Sequence, residues 1–113
     1  KNAMPIVKQN EKMSKALIIM TKKSFGCLGV IDNNFKIIGI ITDGDLRRKI
    51  NSKFFDKKAH EVMTKNPTIG NESMLVGEAI NIMNNKKITS LFVCENKKPV
   101  GIVHIHDLLR LTS

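Results

Sequence analysis

The chain contains few of the residues that mark several large classes of protein. It has no tryptophan, no tyrosine and five phenylalanines, so it offers few of the aromatic rings on which single-stranded nucleic acids stack. Its two cysteines form no C-x-x-C pair and are too few for a disulfide framework. No apolar run reaches the roughly 18 residues of a membrane-spanning helix, and no secretory signal pattern is visible. These absences favour a globular protein with no nucleic-acid or membrane partner.

The charge is one-sided, with 19 basic against 10 acidic residues and a formal net charge of +9. Such a balance can indicate nucleic-acid binding. Here the basic residues fall in short, separate clusters, such as Lys22-Lys23 and Lys97-Lys98, mostly at predicted helix ends and turns. We interpret them as a solvated surface, and a weaker attraction for a small anionic ligand stays open.

The feature that organises the chain is an internal repeat. Residues 38–48 recur as residues 100–110, 62 positions later, and several further positions are apolar in both copies. The identical pairs are Gly39/Gly101, Ile40/Ile102, Asp45/Asp107, Leu46/Leu108 and Arg48/Arg110. A repeat of this length indicates two copies of one supersecondary unit. We expect the copies to pack as a pseudo-twofold pair, with the site where they meet.

The repeat extends upstream through a predicted helix. Apolar residues at 13, 16, 17 and 20 and at 76, 79, 80 and 83 have the spacing of an amphipathic helix, with an offset of 63. The later offset of 62 predicts one residue fewer in the loop after the second copy's helix. We predict that the two repeats start at matching segments, Pro5-Ile6-Val7 in the first and Pro67-Thr68-Ile69 in the second. Cys27 and Cys94 are not equivalent in the repeat, and we expect both to be small core residues in a reducing cytoplasm.

Turn signals and β-prone runs complete each copy, which gives the order strand, helix, strand, strand, helix. The predicted fold is α/β of the mixed α+β kind, with two β-α-β-β-α repeats. We place the first repeat at residues 1–51, a linker at 52–65 and the second repeat at 66–113. The continuous apolar run at 37–41 predicts a strand buried on both faces. Phe54 and Phe55, in the linker, are expected to pack on the core.

Thr42 and Asp45 stand where a strand of the first copy ends and a helix is predicted to begin. A hydroxyl there can bond to a phosphate, the N–H groups of a first helical turn favour an anion, and Gly44 permits close approach of a ligand. Asp45 offers two acceptor oxygens that suit the paired hydroxyls of a ribose. The alternative is a structural capping box, with threonine at the N-cap and an acid three residues later. Both interpretations stay open.

The second copy keeps the acid as Asp107 but has His104 in place of the threonine. His104 can still donate to a phosphate, although its bulk and its titration change the site. His104 and His106 would share a face if the strand extends that far. Two histidines are too few for a metal site, and we expect none.

This pattern resembles the CBS domain family, and the two copies resemble a tandem CBS pair that covers essentially the whole chain. The resemblance is carried by Gly39-Ile40-Ile41-Thr42-Asp43-Gly44-Asp45-Leu46 and by its second copy. Within the family, residues 41–48 and 104–109 look like the C-terminal region of bacterial arabinose 5-phosphate isomerases. Those enzymes join an N-terminal sugar-isomerase domain to a CBS pair.

The resemblance implies a nucleotide site, with the phosphate at Thr42 and the ribose at Asp45. It implies contacts to the base near Phe25, Gly26 and Cys27. The implied ligand-binding residues are Ile6, Gly26, Cys27, Thr42, Gly44 and Asp45 in the first copy, and Lys87, Thr89, His104 and Asp107 in the second. Residues 87–89 are taken as the counterparts of 25–27. Lys87 has a simple alternative as a solvated lysine at a helix C-terminus.

The function implied by the resemblance is regulation of a catalytic domain by a bound nucleotide or nucleotide sugar. An arabinose 5-phosphate isomerase makes the precursor of the lipopolysaccharide sugar Kdo, so CMP-Kdo is the candidate ligand, with AMP or ATP as the alternative. The implied partners are the protein's own N-terminal sugar-isomerase domain and a second copy in a homodimer. No cofactor is required and no catalytic residue is assigned, since the chain has neither a nucleophile elbow nor a P-loop. The competing hypothesis is a dimerisation module without bound nucleotide.

Overall fold

A computed structural model describes residues 4–23 and 26–112, and of Thr112 only the backbone. The chain forms two compact units, the first ending at Pro67 and the second beginning at Thr68. Each unit has its own sheet and its own helices, so the predicted mixed α/β class is confirmed. Among the described residues, no helix is both long and apolar enough to cross a bilayer.

The first unit contains four strands, three α-helices and one 3₁₀ turn. In chain order they are β1 (Ile6–Lys8), α1 (Met13–Lys23), β2 (Cys27–Ile31), β3 (Ile37–Thr42), α2 (Asp43–Lys49), the 3₁₀ turn (Phe54–Asp56), α3 (Ala59–Val62) and β4 (Thr64–Lys65). The sheet order is β1-β2-β3-β4, with β1 parallel to β2 and the other pairs antiparallel. The predicted helices and strands of this repeat are therefore present in the predicted order.

Strand β3 is buried on one face only, so the prediction of burial on both faces is wrong. Ile37, Gly39 and Ile41 are buried, whereas Ile38 and Ile40 are half-buried. Side chains of a strand alternate between its two faces. The run of isoleucines conceals this alternation, because an apolar residue also stands on the half-exposed face.

Residues 54–65, predicted as part of a linker, contribute to the core of the first unit. Phe54, Ala59 and Val62 are fully buried and pack with the apolar face of α1 and with β2 and β3. Phe54 thus packs as predicted, while Phe55 is 47% exposed and meets the Phe54 ring edge-on at 5.5 Å. We call residues 54–65 the covering segment.

The second unit has a three-stranded sheet and two helices. They are β5 (Ile69–Asn71), α4 (Val76–Lys86), β6 (Ser90–Glu95), β7 (Lys98–His104) and α5 (Ile105–Thr112). The sheet order is β5-β6-β7, with β5 parallel to β6 and β6 antiparallel to β7. Its small core contains Ala79, Met83, Leu91 and Leu108.

The strand register places the one-residue difference between the repeats elsewhere than predicted. The loop from helix to strand has the same length in both copies, and the residue is lost in the hairpin turn that follows. In the first unit Ile6 pairs with Gly29, and in the second unit Ile69 pairs with Phe92 at the matching position. Likewise, the pair Ile31/Ile37 of the first unit matches the pair Cys94/Pro99 of the second. The match of Pro5-Ile6-Val7 to Pro67-Thr68-Ile69 is accordingly wrong by one position, since Ile6 corresponds to Ile69.

Candidate functional site

The junction between β3 and α2 is closed by a reciprocal capping box. Thr42 has extended backbone angles and is the N-cap of α2. Its hydroxyl oxygen accepts the Asp45 N–H at 3.3 Å, and Asp45 Oδ2 accepts the Thr42 N–H at 3.0 Å. The structural capping interpretation of Thr42-x-x-Asp45 is confirmed as a geometry, and it satisfies N–H groups that the first helical turn cannot bond internally.

Asp45 is the only buried charged side chain among the described residues, with 1% of its surface exposed. Its Oδ1 accepts from Arg48 Nη2 at 2.6 Å and from the Thr64 hydroxyl at 3.0 Å. Arg48 itself is 66% exposed, so the pair joins a buried anion to a solvated cation. Both carboxylate oxygens are therefore occupied by donors, as a buried charge requires.

A second side chain connects α2 to the covering segment. Lys49 donates from Nζ to the Val62 carbonyl at 2.8 Å. Together with the bond from Thr64 to Asp45, this contact fixes both ends of α2 against residues 62–64. The position of the Asp45 carboxylate thus depends on a segment that lies beyond the repeat itself.

The structure brings most of the predicted first-copy residues to one end of the sheet. Cys27, buried at the start of β2, is the direct cross-strand neighbour of Thr42. Gly26 precedes it with a φ of 76°, and a Cβ built there would lie 3.9 Å from Asp43 Oδ2. A Cβ at Gly44 would come within 3.2 Å of Arg48 Nη1, so this glycine keeps the surface beside Arg48 open.

Ile6 lies farther from the junction than the other predicted residues. It is half-buried on β1 and pairs with Gly29, two residues along β2 from Cys27. Phe25, the other predicted contact to the base, lies outside the described residues. The sequence and the strand register therefore group Gly26, Cys27, Thr42, Gly44 and Asp45, with Ile6 one strand away.

The equivalent junction of the second unit is built from different chemistry. The N–H of His106 donates to His104 Nδ1 at 3.2 Å, so an imidazole caps α5 where a hydroxyl caps α2. The two imidazole rings stack at 4.9 Å. Asp107 forms an ion pair with Arg110 and is 59% exposed. A nitrogen that accepts this hydrogen bond cannot at the same time donate to a phosphate, so only Nε2 of His104 has that capacity.

Lys87 and Thr89, the other predicted residues of the second unit, lie between α4 and β6. Lys87 is exposed, with left-handed backbone angles at the C-terminus of α4. The Thr89 carbonyl accepts the Ile105 N–H at 2.9 Å, which joins the loop after α4 to the start of α5. Thr89 corresponds to Gly26 rather than to Cys27, because the register shifts by one residue.

Three residues near these junctions were missed in the sequence. Ser90 occupies the place of Cys27, opposite His104, and is buried. Arg48 and Thr64 hold Asp45. The repeat contained a signal for Arg48, since Arg48/Arg110 is one of its identical pairs and lies three residues from the acid. Thr64 had no signal, because its contact with Asp45 joins residues 19 positions apart.

The thiols and the possible metal ligands show no further site. Cys27 and Cys94 are both buried and neither is in a disulfide, and burial raises the pKa of the Cys94 thiol. A raised pKa disfavours the reactive thiolate. Within the described part of the chain, no three His, Cys, Asp or Glu side chains are grouped so that they could hold a metal ion.

Two units that share the order strand, helix, strand, strand, helix, with a capped helix directly after the third strand in each, define a protein of tandem α/β repeats. The CBS domain model matches residues 2–52 and 59–113. The chain belongs to the CBS domain family, as a tandem pair.

Solved structures and curated relatives match nearly the whole length of this chain. The crystal structure of CBSX2 in complex with AMP has a TM-score of 0.83 and 25% identity, and the match covers 99% of this chain and 89% of that one. Arabinose 5-phosphate isomerase KdsD of Francisella tularensis is 41% identical over 114 residues, which are 97% of this chain and 34% of the relative. Protein RP505 of Rickettsia prowazekii is 42% identical over 108 residues, 96% of this chain and 34% of that protein. The chain thus spans about a third of the length of the curated relatives it matches.

Proposed function

We propose that this CBS pair is the regulatory, ligand-binding part of an arabinose 5-phosphate isomerase. The parent would be an aldose-ketose isomerase, with its catalytic sugar-isomerase domain outside this chain. The proposal is supported by the KdsD relatives, which match nearly the whole chain, and by the adenine nucleotide in the CBSX2 structure. The observation that carries it is the first-unit junction, where Thr42, the buried Asp45 and the exposed Arg48 stand together.

The junction suggests how a nucleotide would be recognised. Both oxygens of Asp45 already have donors, so a ribose hydroxyl must replace one of them. Arg48 is the donor that can leave, because two-thirds of its side chain is exposed and its guanidinium can turn to a phosphate. In this exchange the ribose takes Oδ1 of Asp45 and the phosphate takes Arg48 and the Thr42 hydroxyl. Gly26, Gly44, Cys27 and Ile6 would form the surroundings of the ligand.

Two ligands fit the proposal. CMP-Kdo would be an end product of the pathway that an arabinose 5-phosphate isomerase serves, and feedback by it would match the KdsD likeness. AMP or ATP is the alternative and matches the CBSX2 complex. In the second unit, His104, Asp107, Lys87 and Thr89 would form a weaker or different site, since His104 uses one nitrogen as a cap.

The proposal also assigns partners and a location. The partners are the N-terminal sugar-isomerase domain of the same polypeptide and a second copy in a homodimer. Coupling requires that the ligand favours one arrangement of the protein over another. The cytoplasm is the proposed location, where the thiols of Cys27 and Cys94 would stay reduced.

The second candidate function is a dimerisation module that binds no nucleotide. One observation favours it: the capping box and the bonds from Arg48 and Thr64 satisfy Asp45 without any ligand. A buried carboxylate whose hydrogen bonds are all made within the chain is also expected at a helix start that has only a structural role.

The experiment that decides between them is a titration of the chain with CMP-Kdo, CMP, AMP, ATP and arabinose 5-phosphate. Isothermal calorimetry gives the Kd, and the thermal midpoint gives an independent readout, since a ligand that binds only the folded state raises it. We expect one nucleotide to bind, and Asp45→Asn to weaken it at least about tenfold, near 1.4 kcal/mol. Asp107→Asn tests the second unit, and Asp56→Asn, at an exposed carboxylate outside both junctions, is the control.

Absence of binding by all five compounds would favour the dimerisation module. Equal weakening by Asp45→Asn and Asp56→Asn would remove the first-unit junction as the site. Binding of arabinose 5-phosphate alone would replace the proposed nucleotide by the substrate of the parent enzyme.

A further inference from the structure

The second unit has an open apolar pocket where the first unit is filled. A cavity of about 190 Å³ lies between α4, α5 and the sheet, and Leu75 at its rim is 70% exposed. Its apolar walls include Val76, Ala79, Leu91, Val93, Val103 and Leu108. Exposed apolar concavities occur at protein interaction sites and in ligand-binding grooves.

The register shows what fills the same place in the first unit. Leu91 corresponds to Leu28, Val103 to Ile41 and Ala79 to Ala16. In the first unit Leu28, Ile41 and Ala16 form one hydrophobic cluster with Phe54, Ala59 and Val62 of the covering segment. The walls that enclose a segment of chain in the first unit therefore enclose an empty cavity in the second.

Backbone N–H and carbonyl groups at the rim of the pocket support the same correspondence between the two units. In the first unit the Met13 N–H donates to the Lys57 carbonyl at 2.8 Å, and the Glu11 carbonyl accepts the Ala59 N–H at 2.8 Å. The counterparts of Met13 and Glu11 are Val76 and Met74, which both line the pocket. Within the described residues, no hydrogen bond is made by the Val76 N–H or by the Met74 carbonyl. These groups are suited to the backbone of an incoming peptide.

The free edge of β7 extends the same surface. In the first unit β4 pairs with β3 at Gly39, where the side chain of Met63 takes the space that a Cβ would need. In the second unit β7 is the last strand of its sheet as described, and no atom lies within 4 Å of a Cβ built at Gly101. An unpaired edge beside open space is a template for an added strand.

We propose that this surface, which we call the open groove, binds a polypeptide segment of the same type as the covering segment. The groove comprises the pocket, the rim at Met74 and Val76, and the β7 edge at Gly101. Its occupant carries an aromatic side chain, small apolar side chains five and eight positions later, and then a short strand. It comes from sequence that flanks the repeats in a longer polypeptide, because the first unit also takes its covering segment from adjacent sequence. The relatives, about three times longer than this chain, have such flanks.

The test uses the ¹⁵N-labelled 113-residue chain and a synthetic peptide with the sequence of residues 51–66. We expect saturable amide shifts at Leu91, Gly101 and Leu108, and none at the first-unit junction. A peptide with Phe54→Ser and Val62→Ser is the matched control and should not bind. In the chain, Gly101→Val should weaken binding at least tenfold while folding is retained, and Gly77→Ala, which adds a Cβ in open space on α4, should leave it unchanged.

Two results would overturn the proposal: no saturable shifts up to the solubility limit of the peptide, or binding that Gly101→Val leaves intact. The source of the occupant is tested with full-length KdsD of Francisella tularensis. It should not bind the peptide, because its own flank fills the groove. Equal binding by both proteins would assign the groove to a separate partner and contradict the proposed flank.

Discussion

The two repeats carry the same acid and the same arginine, yet the structure gives these residues different environments. Asp45 is 1% exposed and Asp107 is 59% exposed, although each is paired with an arginine three residues later. The difference comes from outside the repeated stretch. The covering segment brings Thr64 to Asp45, and no described residue does the same for Asp107. Identical residues at equivalent positions therefore do not establish equivalent sites.

The helix caps of the two units show the converse case, in which different residues have the same structural role. Thr42 and His104 differ in residue type, yet both accept a hydrogen bond from an N–H of the first helical turn. The backbone geometry of the junction is kept while its chemistry changes. The local capping role is thus common to both repeats, and a buried carboxylate belongs to the first alone among the described residues.

The largest expected effect tests the covering segment as part of the first-unit core. Phe54→Ala should lower the free energy of unfolding by about 3–5 kcal/mol, because it empties a fully buried site. Phe55→Ala, the neighbouring and half-exposed control, should cost less than about 1 kcal/mol. Urea-induced unfolding measures both. A similar small loss for the two variants would mean that the segment is a linker and that the units differ less than described.

The next effect compares the two carboxylates directly. Asp45→Ala should cost about 2–3 kcal/mol, since it leaves the Thr42 N–H and the Thr64 hydroxyl without their acceptor and removes a helix cap. Asp107→Ala should cost about 1 kcal/mol or less, because its ion pair is exposed. Chemical unfolding of both variants at neutral pH measures the difference. Equal costs would contradict the contrast in burial.

The paired glycines give a smaller but equally direct comparison. Gly39→Val should cost about 1–3 kcal/mol, because its Cβ would collide with Met63. Gly101→Val should be neutral or slightly stabilising, since its Cβ meets no atom and valine suits a strand. Thermal midpoints of the two variants provide the measurement. A loss at Gly101 as large as that at Gly39 would show that the β7 edge is covered.

The smallest effect concerns pH and the hairpin turn of the first unit. The Lys36 N–H bonds to the Asp32 carboxylate at 2.9 Å and holds the pKa of that carboxyl below its ordinary value of 3.8. Its stabilising contribution is therefore complete above pH 3.8 and is lost as the pH falls through the lower pKa of the folded state.

Asp32→Asn should remove this part of the acid sensitivity. Unfolding midpoints measured from about pH 6 down to about pH 2 are the readout, with Asp56→Asn as the control. An unchanged pH profile for Asp32→Asn would show that the bond to Lys36 does not persist in solution.

Much of the fold followed from local sequence patterns. The apolar spacing at Met13 and Val76, the asparagine turns and the β-prone runs predicted the helices and strands in their correct order. Thr42 and Asp45 predicted the capping box, because both partners lie within one helical turn. The register was predicted less well. An offset of 62 at the prolines agreed with the later part of the repeat, and only the strand pairing showed that Ile6 matches Ile69.

The tandem repeat, the order of its elements and the capping pair Thr42 and Asp45 could therefore be inferred from the sequence, since these depend on contacts between near neighbours. The tertiary structure decided three other features: the inclusion of the covering segment in the first unit, the burial of Asp45 beneath Thr64, and the groove left open in the second. Each depends on chain segments that are distant in sequence. Composition and spacing do not record which segment comes to cover a given apolar surface, because burial is favourable for any apolar side chain that fits.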